Sequence, residues 1–157
     1  MNLILKRKNI YLIICIYSIV AILSALYIEN ILGYLPCKLC IYQRVPFIFA
    51  IFICFLGYNY FKSNRILVAL IVLFTLSMAL SGYHFGIENS YFNEFGGCTS
   101  SNLEIIDKNK ILEELNMPQN CKDVNFRIFG ISLSGLNFLS SLLIILISLR
   151  ALIYDKD

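Results

Sequence analysis

Four long stretches of this chain carry no charge, and the polar segments between them set the fold. Ile10 to Ile28 is nearly all apolar. A second run covers about Val45 to Phe61 and can begin as early as Ile41. A third covers Ile66 to about Gly82, and a fourth Ile128 to Leu149. About 20 helical residues, each rising 1.5 Å, cross a hydrocarbon core of about 30 Å, so each run predicts a transmembrane helix. The expected spans are therefore about 10–28, 45–61, 66–82 and 128–149, in a single integral membrane domain over 1–157. The first run is longer than a signal-peptide core of about 7 to 15 residues and lacks a small-residue cleavage motif, so it is read as a retained span. Pro46 suits a first helical turn and would kink a helix that began earlier; the pattern admits both starts.

The polar segments give order and orientation. Lys62-Ser63-Asn64-Arg65 is so short a connector that the second and third helices must be antiparallel neighbours. The extracytoplasmic loops are expected at about 29–44 and 83–127, the second being the one long loop. Within it, Leu103, Ile105, Ile106, Ile111, Leu112 and Leu115 alternate with charged residues in a helical pattern, which suits an amphipathic helix on the bilayer or a cover over the bundle's end. Four spans put both termini on one side with Lys6, Arg7, Lys8, Lys62, Arg65, Arg150 and Lys156, and the positive-inside rule makes that side cytoplasmic. The fold expected is all-α, a four-transmembrane-helix bundle.

Composition agrees with a membrane protein: 59% of the 157 residues are hydrophobic and 15% are charged, with a mean hydropathy of +0.74. A net charge of +3 without a basic, aromatic-interleaved patch sets nucleic acid aside.

Six cysteines supply the candidate chemistry. Cys15 and Cys54 lie inside apolar runs and read as small buried hydrophobes. Cys37, Cys40, Cys98 and Cys121 lie outside them, on the side opposite the positive termini, where disulfides persist. These four allow three connectivities. Cys37 and Cys40, with two residues between, have the spacing of a redox pair, a structural bridge or a zinc knuckle. Zinc would want two such close pairs, and haem attachment would want His where Ile41 stands. If Cys98 and Cys121 formed a second bridge, a reduced soluble partner could attack it and electrons could pass by thiol–disulfide exchange to Cys37 and Cys40. Arg44, four residues after Cys40, shares its face if this turn is helical. At roughly 6 Å and an effective dielectric of about 20, that cation favours a thiolate by about 2.8 kcal/mol. Arg44 also fits a lipid-headgroup anchor, and His84, the single histidine, fits either a surface role or a proton or quinone contact.

Pro36-Cys37-Lys38-Leu39-Cys40-Ile41-Tyr42-Gln43-Arg44 resembles the signature of the DsbB family, inner-membrane thiol–disulfide oxidoreductases. The resemblance extends to Tyr83-His84-Phe85-Gly86-Ile87-Glu88, to Cys121-Lys122-Asp123-Val124 and to Phe129-Gly130-Ile131-Ser132-Leu133, covering essentially the whole chain. Asn125-Phe126 departs from the Pro and Trp that relatives tend to carry there, which bears on the entry to the fourth helix. The resemblance implies reoxidation of a periplasmic DsbA-like thioredoxin-fold oxidase, with electrons handed to ubiquinone or menaquinone in the bacterial inner membrane. It further implies redox disulfides Cys37 with Cys40 and Cys98 with Cys121, Cys40 nearest the quinone, and Arg44 and His84 beside the quinone head. No metal is implied. Two rivals share parts of the pattern. A vitamin K epoxide reductase-like enzyme would place its quinone-facing pair near a late helix, and a non-enzymatic four-span protein would use the disulfides as staples only.

Overall fold

The computed structural model describes residues 7–60, 63–92, 121, 127–128 and 130–154. Four helices account for most of them: α1 (Arg7–Asn30), α2 (Lys38–Asn59), α3 (Asn64–Glu88) and α4 (Leu133–Tyr154). All four are long and apolar enough to cross a membrane. Cys98 and the amphipathic stretch from Leu103 to Leu115 fall outside the described residues.

The helices extend beyond their apolar runs. Lipid punishes unpaired backbone groups more than the interface punishes charge, so helical hydrogen bonding continues through the polar ends. Hence α1 takes in Arg7 and Glu29, and α3 continues six residues past Gly82 to Glu88. The second helix begins at Lys38 rather than Val45. Its N-cap is Cys37, whose sulfur accepts the Cys40 N–H at 3.1 Å in the way a serine oxygen would. Pro46 therefore lies inside α2, two turns in, and deprives the Tyr42 carbonyl of its helical donor. The fourth helix begins at Leu133 rather than Ile128. Arg127 pairs with Ser132 and Ile128 with Ile131 in a small antiparallel hairpin, β1 (Arg127–Ile128) and β2 (Ile131–Ser132), which turns through Gly130 at φ +83°.

Contacts fix the antiparallel order. Lys8 lies over the Tyr58 ring at 5.6 Å, joining the start of α1 to the end of α2, and Arg44 bonds Glu29 between their other ends. The end of α3 meets the start of α4, where Gly135 leaves room for Phe85 and Ile131. Because lipid is as apolar as leucine, close packing and small residues hold such a bundle rather than water exclusion. Ser134, Ser141 and Ser148, one heptad apart, are all buried along α4, as are Ser77 and Ser81 on α3. At Gly57 an added Cβ would come within 2.6 Å of the Tyr11 ring, so glycine lets α1 and α2 close on that ring. Phe47 meets Phe74 edge-on at 5.9 Å between α2 and α3. The outward faces carry Phe52, Phe55, Leu76 and Ile153, each more than 60% exposed and suited to lipid.

Candidate dithiol site

A second, smaller cluster of buried residues closes one end of the bundle: Cys37, Ile87 and Cys121, with Leu39, Cys40 and Tyr83 packed against it. The start of α2 supplies the two close thiols. One as N-cap and one in the first turn, Cys37 and Cys40 place their sulfurs 2.6 Å apart. Both are free thiols. The hydrogen bond to Cys40 raises the Cys37 pKa above its ordinary value, and burial raises it further, so Cys37 holds its proton while the pair is reduced.

The end of α3 supplies His84, buried at 3% exposure. Its Nε2 lies 3.6 Å from the Cys37 sulfur and 3.6 Å from Glu88 Oε1, one turn along the same helix face. Its Nδ1 lies 2.9 Å from Gln43 Nε2. The long loop contributes Cys121, also buried and in hydrogen-bonding reach of His84 through its backbone. The donor atoms of Cys37, His84 and Cys121 all lie within 4.8 Å of one another. Three such donors could hold a thiophilic ion.

Arg44 sits one helical turn after Cys40 and bonds Glu29 of α1 through Nη1 at 2.6 Å, both side chains being partly exposed. The cation thus faces a carboxylate as well as the dithiol turn, and its field at Cys40 is weaker than an unpaired charge would give. Of the predicted site residues, Cys37, Cys40, His84 and Cys121 come together, and Arg44 flanks them. Cys98 and its pairing with Cys121 lie outside the described residues. Sequence reasoning missed Gln43, Glu88, Glu29 and Asn137 as neighbours of the site. Glu88 had a readable signal, since it follows His84 by four residues on a helix.

A bundle of four membrane-crossing helices with a capped vicinal dithiol, a third thiol and an imidazole at one end is a membrane thiol protein. The family model described as "Disulfide bond formation protein DsbB" matches residues 7–151. The chain belongs to that family, and disulfide-bond formation is the activity that membership implies. An uncharacterized protein of Rickettsia prowazekii is 28% identical over 158 residues, covering 97% of this chain and 91% of that protein. A "Probable disulfide formation protein" of Oceanobacillus iheyensis is 31% identical over 101 residues, covering 62% of this chain and 68% of its own.

Proposed function

We propose that this protein oxidises a dithiol of a soluble DsbA-like thioredoxin-fold partner and passes the electrons to ubiquinone or menaquinone. It would do so in a bacterial inner membrane with Cys37, Cys40, Cys98 and Cys121 on the periplasmic face. The observation that carries this reading is the cluster of Cys37, Cys40 and Cys121 around His84. The positive-inside rule supports the orientation, since Arg7, Lys8, Arg65 and Arg150 belong to the opposite helix ends.

In this reading the partner's thiolate attacks a Cys98–Cys121 disulfide at Cys98, and the S–S electron pair leaves on Cys121. The Cys121 thiolate then bonds the Cys37 sulfur, the Cys37–Cys40 bond breaks, and its electron pair leaves on Cys40. No oxidant is consumed in that exchange. Resolution of both mixed disulfides leaves the partner oxidised and the Cys37–Cys40 pair reduced. A bound quinone supplies a two-electron, two-proton acceptor. The residues present fit such a group: Arg44 is partly exposed one turn from Cys40, so its guanidinium can face a carbonyl oxygen while Glu29 holds the side chain in place. Cys37 keeps its proton by donating to the Cys40 sulfur, which leaves Cys40 the nucleophilic member of the pair.

The test is to mix the purified protein with quinone and a reduced thioredoxin-fold dithiol protein and follow quinone absorbance. Bleaching that requires both Cys37 and Cys40 is the expected result. Persistent absorbance, with the thiols inert to trapping, would leave a stapled, non-enzymatic protein.

A further inference from the structure

A line of buried and half-buried polar side chains leads from the site into the bundle, crossing from α3 through α2 to α4. Gln43 Nε2 faces His84 Nδ1 at 2.9 Å, and Asn137 Nδ2 donates to Gln43 Oε1 at 3.1 Å. Asn137 Oδ1 in turn receives the Ser141 hydroxyl at 3.2 Å and the Ser77 hydroxyl at 3.5 Å. An amide NH2 can only donate, so the ring nitrogen facing it must carry a lone pair, and the ring proton belongs on Nε2. The far side of the ring agrees. There Nε2 faces the Cys37 sulfur and the Glu88 carboxylate, both acceptors. Gln43 and His84 are 7% and 3% exposed, so water does not stand ready to replace either partner. A chain of this kind has two self-consistent settings. Turning one amide over forces its neighbour to turn, and the reversed chain would put the ring proton on Nδ1.

We propose that Gln43 and Asn137 are positioning residues that hold His84 as its Nε2–H tautomer, aiming that hydrogen at the sulfur of Cys37. The inference rests on the exchange reading above for its purpose. An N–H there stabilises the Cys121 thiolate that begins the exchange and the Cys37 thiolate released when the Cys121–Cys37 bond is resolved, whereas a lone pair would repel both. Gln43 acts through the ring, and Asn137 acts through Gln43.

His84 is the only histidine, so selective nitrogen-15 labelling of histidine reports this ring alone. In the full-length protein in nanodiscs, nitrogen shifts and couplings should place the proton on Nε2. Asn137→Asp is isosteric and removes the donor to Gln43 Oε1. Gln43 must then turn its NH2 toward residue 137 and its carbonyl toward the ring, moving the proton to Nδ1 although residue 137 makes no bond to His84. Gln43→Glu should move it directly. Thiol exchange into the Cys37–Cys40 disulfide should slow on the order of tenfold in either variant, the cost of one charge-assisted hydrogen bond. A wild-type ring protonated at Nδ1, or an unmoved proton in both folded variants, overturns the proposal. A proton that moves in a protein with no dithiol activity upholds the positioning role and refutes the exchange reading instead.

Discussion

Helix α2 carries a thiol near each end, and the two meet opposite surroundings. Cys40 lies beside a sulfur that caps the helix, with an imidazole, a carboxylate and a third thiol gathered around Cys37. Cys54 belongs to the apolar cluster of Tyr11, Phe47 and Phe74, with Cys15 packed against it. Both neighbourhoods therefore bring cysteines together, and only one surrounds them with hydrogen-bond donors and charge. A thiolate needs exactly such company to exist at membrane depth, so two nearby cysteines do not by themselves make a redox centre.

The sharpest way to break this contrast is to remove one thiol from each neighbourhood. Cys40→Ser should lower quinone-linked dithiol oxidation at least about a thousandfold, because serine cannot form the disulfide on which exchange depends. Cys54→Ala should keep turnover within about twofold. A comparable loss from Cys54→Ala in quinone-absorbance assays would erase the distinction.

Next in size is an effect on the apolar side alone. Gly57→Leu drives a side chain into the Tyr11 ring and should destabilise the bundle by about 2–3 kcal/mol. Its thermal unfolding midpoint in detergent should fall while turnover per folded molecule holds. Slowed turnover without a lower midpoint would show that the apolar half reaches the chemistry.

Arg44→Gln sharpens the comparison within the dithiol end. Reoxidation of the reduced pair by quinone should slow about tenfold, with the soluble-dithiol half-reaction changed less than about twofold. Equal slowing in stopped-flow measurements of both steps would reduce Arg44 to a clamp on Glu29.

The smallest effect is a pH dependence of the reduced protein. Cys37 has a raised pKa when folded, so the native state keeps a proton that the unfolded chain releases above about pH 9.0. Its contribution is therefore complete below that pH and declines as pH rises, by at most about 1.4 kcal/mol per unit. Denaturation of reduced wild type and Cys37→Ala at pH 10 and 11, where the other unfolded thiols have already ionised, should narrow the gap between them. A constant gap would contradict a retained proton.

The four helices are legible in the sequence because lipid leaves an apolar run few alternatives, and the short connector at Lys62–Arg65 dictates an antiparallel turn. Their ends are less legible. The α2 start depends on a cysteine acting as an N-cap, a role usually given to Ser, Thr, Asp or Asn, and the α4 start depends on a glycine turn inside an apolar segment. At the site, Cys37 and Cys40 announce themselves by spacing, but their partners come from three other parts of the chain. The approach of Cys121 and His84 to Cys37 is tertiary, and no local pattern encodes it. Arg44 can be read as a cation near Cys40, whereas its partner Glu29 lies in another helix and tempers that reading. Asn137 is the one carboxamide in the fourth uncharged run. In hydrocarbon such a group needs a partner, and that need is visible even before the partner is.

Pro46 also sets a depth gauge. The Tyr42 carbonyl it leaves without a helical donor is tolerable where water or lipid headgroups reach, and costly among acyl tails. The first two turns of α2 thus belong in the headgroup layer, with hydrocarbon beginning nearer Phe47. On the proposed reading the Cys37–Cys40 pair then rides above that boundary, shielded from direct attack yet in reach of Cys121, and close enough for a molecule lying in the membrane to meet it from below.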